Sequence, residues 1–267
     1  MKNGQIIEKR PFPSPNPNIR LYETTYISEG LKVKGYLAVP VENKVYPAIL
    51  YLRGGIKNVG MVRIARVIQF ASEGFVVFAP FYRGNRGGEG NEDFAGRDRW
   101  DAVNGLEVLR NLPVADSDRI HLFGFSRGGV MALWTAILSQ KAASVITWGG
   151  VSDVALTYKE RVDLRRMMKR VIGGTPWKAA GNYAGRNPLL KLTGMDADVL
   201  IIHGKKDENV SVEHAYLLED AMKKERKPVE SWIFPQQDHY FPPRLNREVT
   251  EKACRWMKRR RLKQRGR

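Results

Sequence analysis

The chain has 267 residues, 43% of them hydrophobic, and a net charge of +17. That suits one globular domain with a single substantial core and excludes a disordered or fibrous polypeptide. The lone cysteine, Cys254, excludes an internal disulfide framework. No stretch approaches the roughly eighteen apolar residues of a membrane helix, and no signal-like apolar core opens the chain, so the cytoplasm is the expected location.

Residues 1–20 read as a Pro-rich extension, with Pro11, Pro13, Pro15 and Pro17. After a Glu29-Gly30 turn, residues 31–39 alternate apolar and polar, as a half-buried antiparallel strand does. Residues 46–52 form an apolar run ending in Arg53-Gly54-Gly55. Further strands are expected near 75–79, 120–123, 144–148, 199–202 and 229–234, alternating with helical stretches such as 130–138 and 212–224. This alternation predicts a single α/β domain: a mostly parallel, doubly wound sheet with helices on both faces. Residues 151–192 are the longest interruption and are expected to form a small helical cap over the pocket. A final helix carries Val249, Ala253, Trp256 and Met257 on one stripe. Residues 258–267 are a basic tail, expected to be a frayed and solvated helix end.

The chemistry centres on Gly124-Phe125-Ser126-Arg127-Gly128, a Gly-x-Ser-x-Gly between an apolar strand and an apolar helix. A serine in such a strand-to-helix elbow is pushed out at the carboxyl edge of the sheet, where it can act as a nucleophile. It then needs a base and an acid, in the chain order serine, acid, histidine. Of the four histidines, His121 lies within a strand, His203 ends one and His214 falls on a helix. His239, in a loop after the last strand, is left as the base. Asp207, in the loop after strand 199–202, is taken as the acid; Asp238, beside the histidine, is the rival and Asp198 lies at the wrong edge of the sheet. The oxyanion donors are expected to be the backbone N–H groups of Arg127 and Gly55, with Gly54 in reserve.

Several segments carry a family resemblance. Phe81-Tyr82-Arg83-Gly84-Asn85-Arg86-Gly87-Gly88-Glu89-Gly90 is similar to the Asn-Tyr-Arg-Gly-Ser-x-Gly-x-Gly segment of the prolyl oligopeptidase family. Asp116-Ser117-Asp118-Arg119-Ile120, Gly173-Gly174-Thr175-Pro176-Trp177, Asn187-Pro188 and His203-Gly204-x-x-Asp207-x-x-Val210 also resemble its segments. The resemblance implies an α/β-hydrolase fold and a serine hydrolase working without a cofactor. Its expected substrate is a small acyl compound or short peptide.

Two departures bear on substrate. The family's peptidases carry a β-propeller before the catalytic domain, and the short segment ahead of the hydrolase pattern leaves no room for one, which favours an esterase or acyl-peptide hydrolase. The family's His-Gly-Gly and the tyrosine after the nucleophile are here Arg53-Gly54-Gly55 and Arg127. A guanidinium beside the scissile bond would pair with a carboxylate or phosphate, so Arg53 is a candidate pocket residue. The competing arrangement turns both arginines away, onto Glu89, Glu92 or Asp93.

The surplus of positive charge admits a second function class, a basic nucleic-acid- or anion-binding protein on a hydrolase-like scaffold. No nucleic-acid motif accompanies the charge, so nucleic acid is not the expected partner. No metal is expected either: there is no His-Glu-x-x-His and no cysteine cluster.

Overall fold

A computed structural model describes residues 1–263. Nine strands form one sheet in the order β1-β2-β3-β5-β4-β6-β7-β8-β9. They are β1 Ile6–Phe12, β2 Ile19–Ser28, β3 Leu31–Pro40, β4 Tyr46–Leu52, β5 Val76–Pro80, β6 Ala115–Phe125, β7 Ser144–Trp148, β8 Asp198–Gly204 and β9 Val229–Phe234. β1, β2 and β3 pair antiparallel, β3 meets β5 antiparallel, and every pairing from β5 through β4 to β9 is parallel. The fold is thus the mostly parallel, doubly wound α/β arrangement of the α/β-hydrolases.

The parallel strands are covered on both faces, which is why β4 (Tyr-Pro-Ala-Ile-Leu-Tyr-Leu) is buried at every position. One face packs on α2 (Arg99–Arg110), α3 (Gly128–Ser139) and α7 (Glu213–Lys224); the other packs on α1 (Ile64–Ser72) and α8 (Pro243–Lys258). Val249, Ala253, Trp256 and Met257 of α8 are buried in that second core, as their spacing predicts.

Residues 1–20 are not a loose extension. Ile6–Phe12 is the edge strand of the sheet, with its Pro11 paired opposite Tyr22. Proline is tolerated there because an edge strand has a side that needs no ladder hydrogen bond. The prolines concealed β1, and β2, which holds no proline, went unrecognised beside it.

Residues 151–192 are helical as expected, with α4 (Val154–Glu160), α5 (Arg165–Ile172), α6 (Ala180–Ala184) and two 3-10 turns. They pack beside α3, where the Trp134 indole donates to the Arg186 carbonyl at 3.0 Å. The described part of the basic tail is docked rather than frayed. Arg260 lies 3.4 Å from the Trp256 ring centroid and pairs with Asp198 at 3.2 Å, and Lys263 reaches the same carboxylate at 2.6 Å. Residues 264–267 of that tail lie outside the described residues.

Candidate active site

The strand order reverses between β4 and β6, and in open α/β sheets the crevice outside the carboxyl ends at such a point is where ligands bind. Leu52 pairs with Gly124 across this junction, so the segments leaving both strands emerge side by side. Ser126 sits there at φ 55°, half-buried. A left-handed conformation is strained for a residue with a side chain and persists only where the surroundings hold it. They do: its N–H donates to the Trp148 carbonyl at 3.1 Å, and its own carbonyl accepts from Gly129 and Val151, both at 2.9 Å. The flanking glycines are obligatory. A β-carbon on Gly124 would fall 2.2 Å from the Gly128 oxygen, and one on Gly128 would fall 2.0 Å from the Leu52 oxygen.

Asp207 and His239 meet from the loops after β8 and β9. Oδ2 of Asp207 lies 2.7 Å from Nδ1 of His239, and both residues are buried. The other carboxylate oxygen accepts from the Asn209 N–H at 2.9 Å and the Val210 N–H at 2.8 Å, which locks the acid in one rotamer. His239 faces the elbow, with the ring of Phe125 centred 4.8 Å from its own. Gly149, at φ 50°, closes the cluster: a β-carbon there would be 3.1 Å from both Oδ2 of Asp207 and Nδ1 of His239. Asp238 is exposed and accepts from the Tyr240 N–H instead. Asp198, the first residue of β8, stands at the opposite edge of the sheet.

The Arg53-Gly54-Gly55 loop comes up against the serine. Gly54 packs directly on it, and Gly55 turns at φ 61°, wrapped so tightly that a β-carbon would strike the Val59 oxygen. Among the described residues, the N–H groups of Arg127 and Gly55 donate to no other group. Both are positioned beside the elbow.

The arginine side chains behave otherwise than the pocket expectation for Arg53. Arg53 is 1% exposed and points beneath the surface, donating to Oε1 of Glu92 at 2.9 Å and to the carbonyls of Phe81, Gly54 and Val59. Arg127 is equally buried and pairs with the same Glu92 oxygen and with Asp98 at 3.1 Å. Both guanidiniums lie over the Tyr82 ring. Although burial raises the Glu92 pKa, the two arginines pull it below the usual carboxylate range. Buried charges need paired neighbours, and these two find theirs inside the protein rather than on a substrate. Arg53 is therefore no pocket residue; it ties the glycine loop to the core.

The model of the prolyl oligopeptidase family matches residues 62–263. The chain belongs to that family. As a member it is a serine-type hydrolase with the α/β-hydrolase fold. It is 59% identical over 256 residues to an uncharacterized peptidase, YtmA, of Bacillus subtilis, covering 96% of this chain and all of that one. With dipeptidyl-peptidase 5 of Porphyromonas gingivalis the identity is 28% over 74% of this chain but only 31% of the relative's length. Among solved structures, Pyrococcus horikoshii acylaminoacyl peptidase superposes with a TM-score of 0.78 at 22% identity, over 94% of this chain and 43% of that one. Acetyl xylan esterase 1 from Thermoanaerobacterium superposes with a TM-score of 0.74 at 14% identity, over 94% of this chain and 87% of the esterase. At these identities the likeness is one of fold.

Within this family member the other histidines are buried supports. His121 hydrogen-bonds Ser144 Oγ at 2.9 Å, and Nδ1 of His214 accepts from the Ser152 N–H at 3.2 Å. His203 is closer to the chemistry: its Nε2 is 2.8 Å from the Val210 carbonyl and 3.5 Å from Oδ2 of Asp207. Sequence reasoning missed that contact, and it missed Gly149, although the Trp148-Gly149-Gly150 turn after β7 carries the same signal as the glycines after β4. Among the described residues, no cluster of three His, Cys, Asp or Glu side chains is arranged to hold a metal ion.

A cavity of about 680 Å³ opens beside His239, between α1 and α8, floored by Tyr51, Phe125 and Trp148. Residues 151–192 contribute nothing to its lining, so the helical insertion is not a cap over this cavity.

Proposed function

We propose that this hydrolase cleaves an ester or peptide/amide bond of a small acyl or short-peptide substrate, with Ser126, Asp207 and His239 as its triad. The observation that carries this reading is the 2.7 Å contact between Asp207 and His239, made beside a serine held at positive φ. With Nδ1–H donated to Asp207, the imidazole keeps its Nε2 lone pair free to accept the serine proton.

Ser126 Oγ attacks the substrate carbonyl while its proton passes to His239. The N–H groups of Arg127 and Gly55, with Gly54 in reserve, receive the oxyanion. The carbon–leaving-group bond then breaks as His239 returns the proton to the departing oxygen or nitrogen, leaving an acyl-serine. Water, deprotonated by the same imidazole, attacks the acyl group and restores the hydroxyl. Each half-reaction balances without a cofactor.

The name of YtmA favours peptides and the acetyl xylan esterase fold admits esters. A panel of p-nitrophenyl esters, acylated amino-acid anilides and dipeptide anilides separates the two. The triad itself is tested with a fluorophosphonate probe. The wild type is labelled, and Ser126→Ala loses both labelling and hydrolysis, with kcat down on the order of a million-fold. Labelling that persists in the variant would refute the assignment.

A further inference from the structure

The cavity between α1 and α8 is lined by a cation, Arg66, that has no ion-pair partner among the described residues. Arg66 is part of its lining, with its guanidinium 4.6 Å from the Phe70 ring centroid and 5.2 Å from those of Phe123 and Trp148. The two hydrogens of its Nη1 are shared among three neutral acceptors, Gln69 Oε1 at 2.7 Å, Asn246 Oδ1 at 3.0 Å and Thr250 Oγ1 at 2.7 Å. No carboxylate among the described residues pairs with it. This is unlike Arg53, Arg83 and Arg127, each of which is neutralised inside the fold. A half-buried guanidinium over three aromatic rings, held in place by neutral groups alone, is a preorganised fork for an anion.

The charge in this cavity is graded. α1 and α8 both start at the carboxyl edge of the sheet and run away from it. Arg63, Arg66 and Arg247 therefore stand near the catalytic end, and Glu73 and Glu251 stand further along. His239 and Gly54 line the near end. In a triad hydrolase the histidine gives its proton to the leaving group, so a cavity walled by that histidine is on the leaving-group side.

The geometry points to a subsite for a leaving group that bears a carboxylate, seated on Arg66. It rests on the reading of Ser126 and His239 as the hydrolytic pair. The ligand class is a short leaving group, either an amino acid or very short peptide with a free carboxyl terminus or an aromatic carboxylate, since the glutamates beyond would repel a longer anion. The aromatic floor takes its apolar part, and the guanidinium takes its charge.

The test compares 4-acetoxybenzoate with methyl 4-acetoxybenzoate, which share an acyl group, the second carrying a neutral methyl ester in place of the carboxylate, each rate being divided by that of uncatalysed hydrolysis. Wild type is expected to show the higher kcat/KM on the carboxylate. In Arg66→Gln the carboxylate-to-methyl-ester ratio should fall roughly tenfold to a hundredfold, the worth of a charge-assisted contact. Arg66→Lys, a point charge without the fork, should retain part of it. A parallel titration with 4-hydroxybenzoate and methyl 4-hydroxybenzoate, followed by calorimetry, reads the subsite without catalysis. Tighter binding of the acid in wild type than in Arg66→Gln is expected. A wild-type ratio showing no preference, or a ratio and an affinity unmoved by Arg66→Gln, would overturn the subsite. Loss of fluorophosphonate labelling and of hydrolysis of both esters in the wild type, with acid binding intact, would instead sink the triad reading and leave the anion site standing.

Discussion

The missing side chain of Gly54 is filled by Ser126: a β-carbon on the glycine would lie 2.6 Å from Cβ of the serine and 3.2 Å from its Oγ. The loop after β4 and the elbow after β6 are thus in direct backbone contact, and the space available to the hydroxyl is set by what residue 54 lacks. Gly54→Ala is expected to lower kcat on the order of a hundredfold, because displacements of about an ångström at a reacting atom carry that penalty. Steady-state kinetics with a urea midpoint on the same sample checks it. Wild-type kcat in the alanine variant would show that the loop yields without disturbing the serine.

The acid assignment separates two aspartates that sequence proximity alone leaves in competition. Asp207→Asn is expected to reduce kcat by about ten-thousandfold while the fold persists, since the amide favours the wrong imidazole tautomer. Asp238→Asn, at an exposed turn, should stay within roughly threefold of wild type. Full activity of Asp207→Asn would transfer the role elsewhere.

Arg127 is predicted to matter for folding rather than for substrate charge. Arg127→Met leaves Asp98 without its arginine and Glu92 with Arg53 alone, in a region almost closed to solvent. Breaking a buried ion pair by removing one partner costs about 3–5 kcal/mol. Urea denaturation should show a loss of that order, and the backbone N–H proposed for the oxyanion is retained. A selective rise in KM for anionic esters, with stability unchanged, would restore the arginine to the pocket.

Acid stability should depend on His121. Burial drives its pKa down to about 3, below the ordinary value of 6.5, so the folded protein holds it neutral. Between those two values the unfolded chain binds a proton that the folded chain does not, so stability rises with pH across this window and is lost as pH falls. Burial lowers the His203 pKa as well, with the same sign. His121→Gln should flatten the dependence of the urea midpoint on pH between about 6.5 and 4. An unaltered slope would show that other groups govern the acid limb.

Much of this architecture is written locally. The alternation of apolar strands with helices specified a parallel sheet, because strands buried on both faces must be continuously apolar and are joined by helices. Gly124, Ser126 and Gly128 announce the elbow because steric demands on that turn leave few choices. Asp207 and His239 were legible as loop residues after successive strands, and that placement separated them from Asp198, which precedes its strand, and from His203, which ends one. Residues 6–12 were hidden because prolines outweighed the strand pattern, and a sheet edge tolerates what a central strand does not.

The direction of a side chain was not in the sequence. Arg53 and Arg127 read the same whether they face the substrate or Glu92, since 39 and 35 residues separate them from that carboxylate. Only the approach of the loop after β5 to the elbow brings the acid beneath them. The converse holds for Arg66, one arginine among many in sequence. Folding set α8 beside α1 and supplied Asn246 and Thr250 as its neutral acceptors, with no carboxylate among the described residues paired to it. Local sterics and hydrophobic pattern therefore determined the strands, the elbow and its order of partners. Which charges are spent inside the protein and which remain for a ligand was decided by long-range packing, because a charge is neutralised by whatever the fold places within a few ångströms of it.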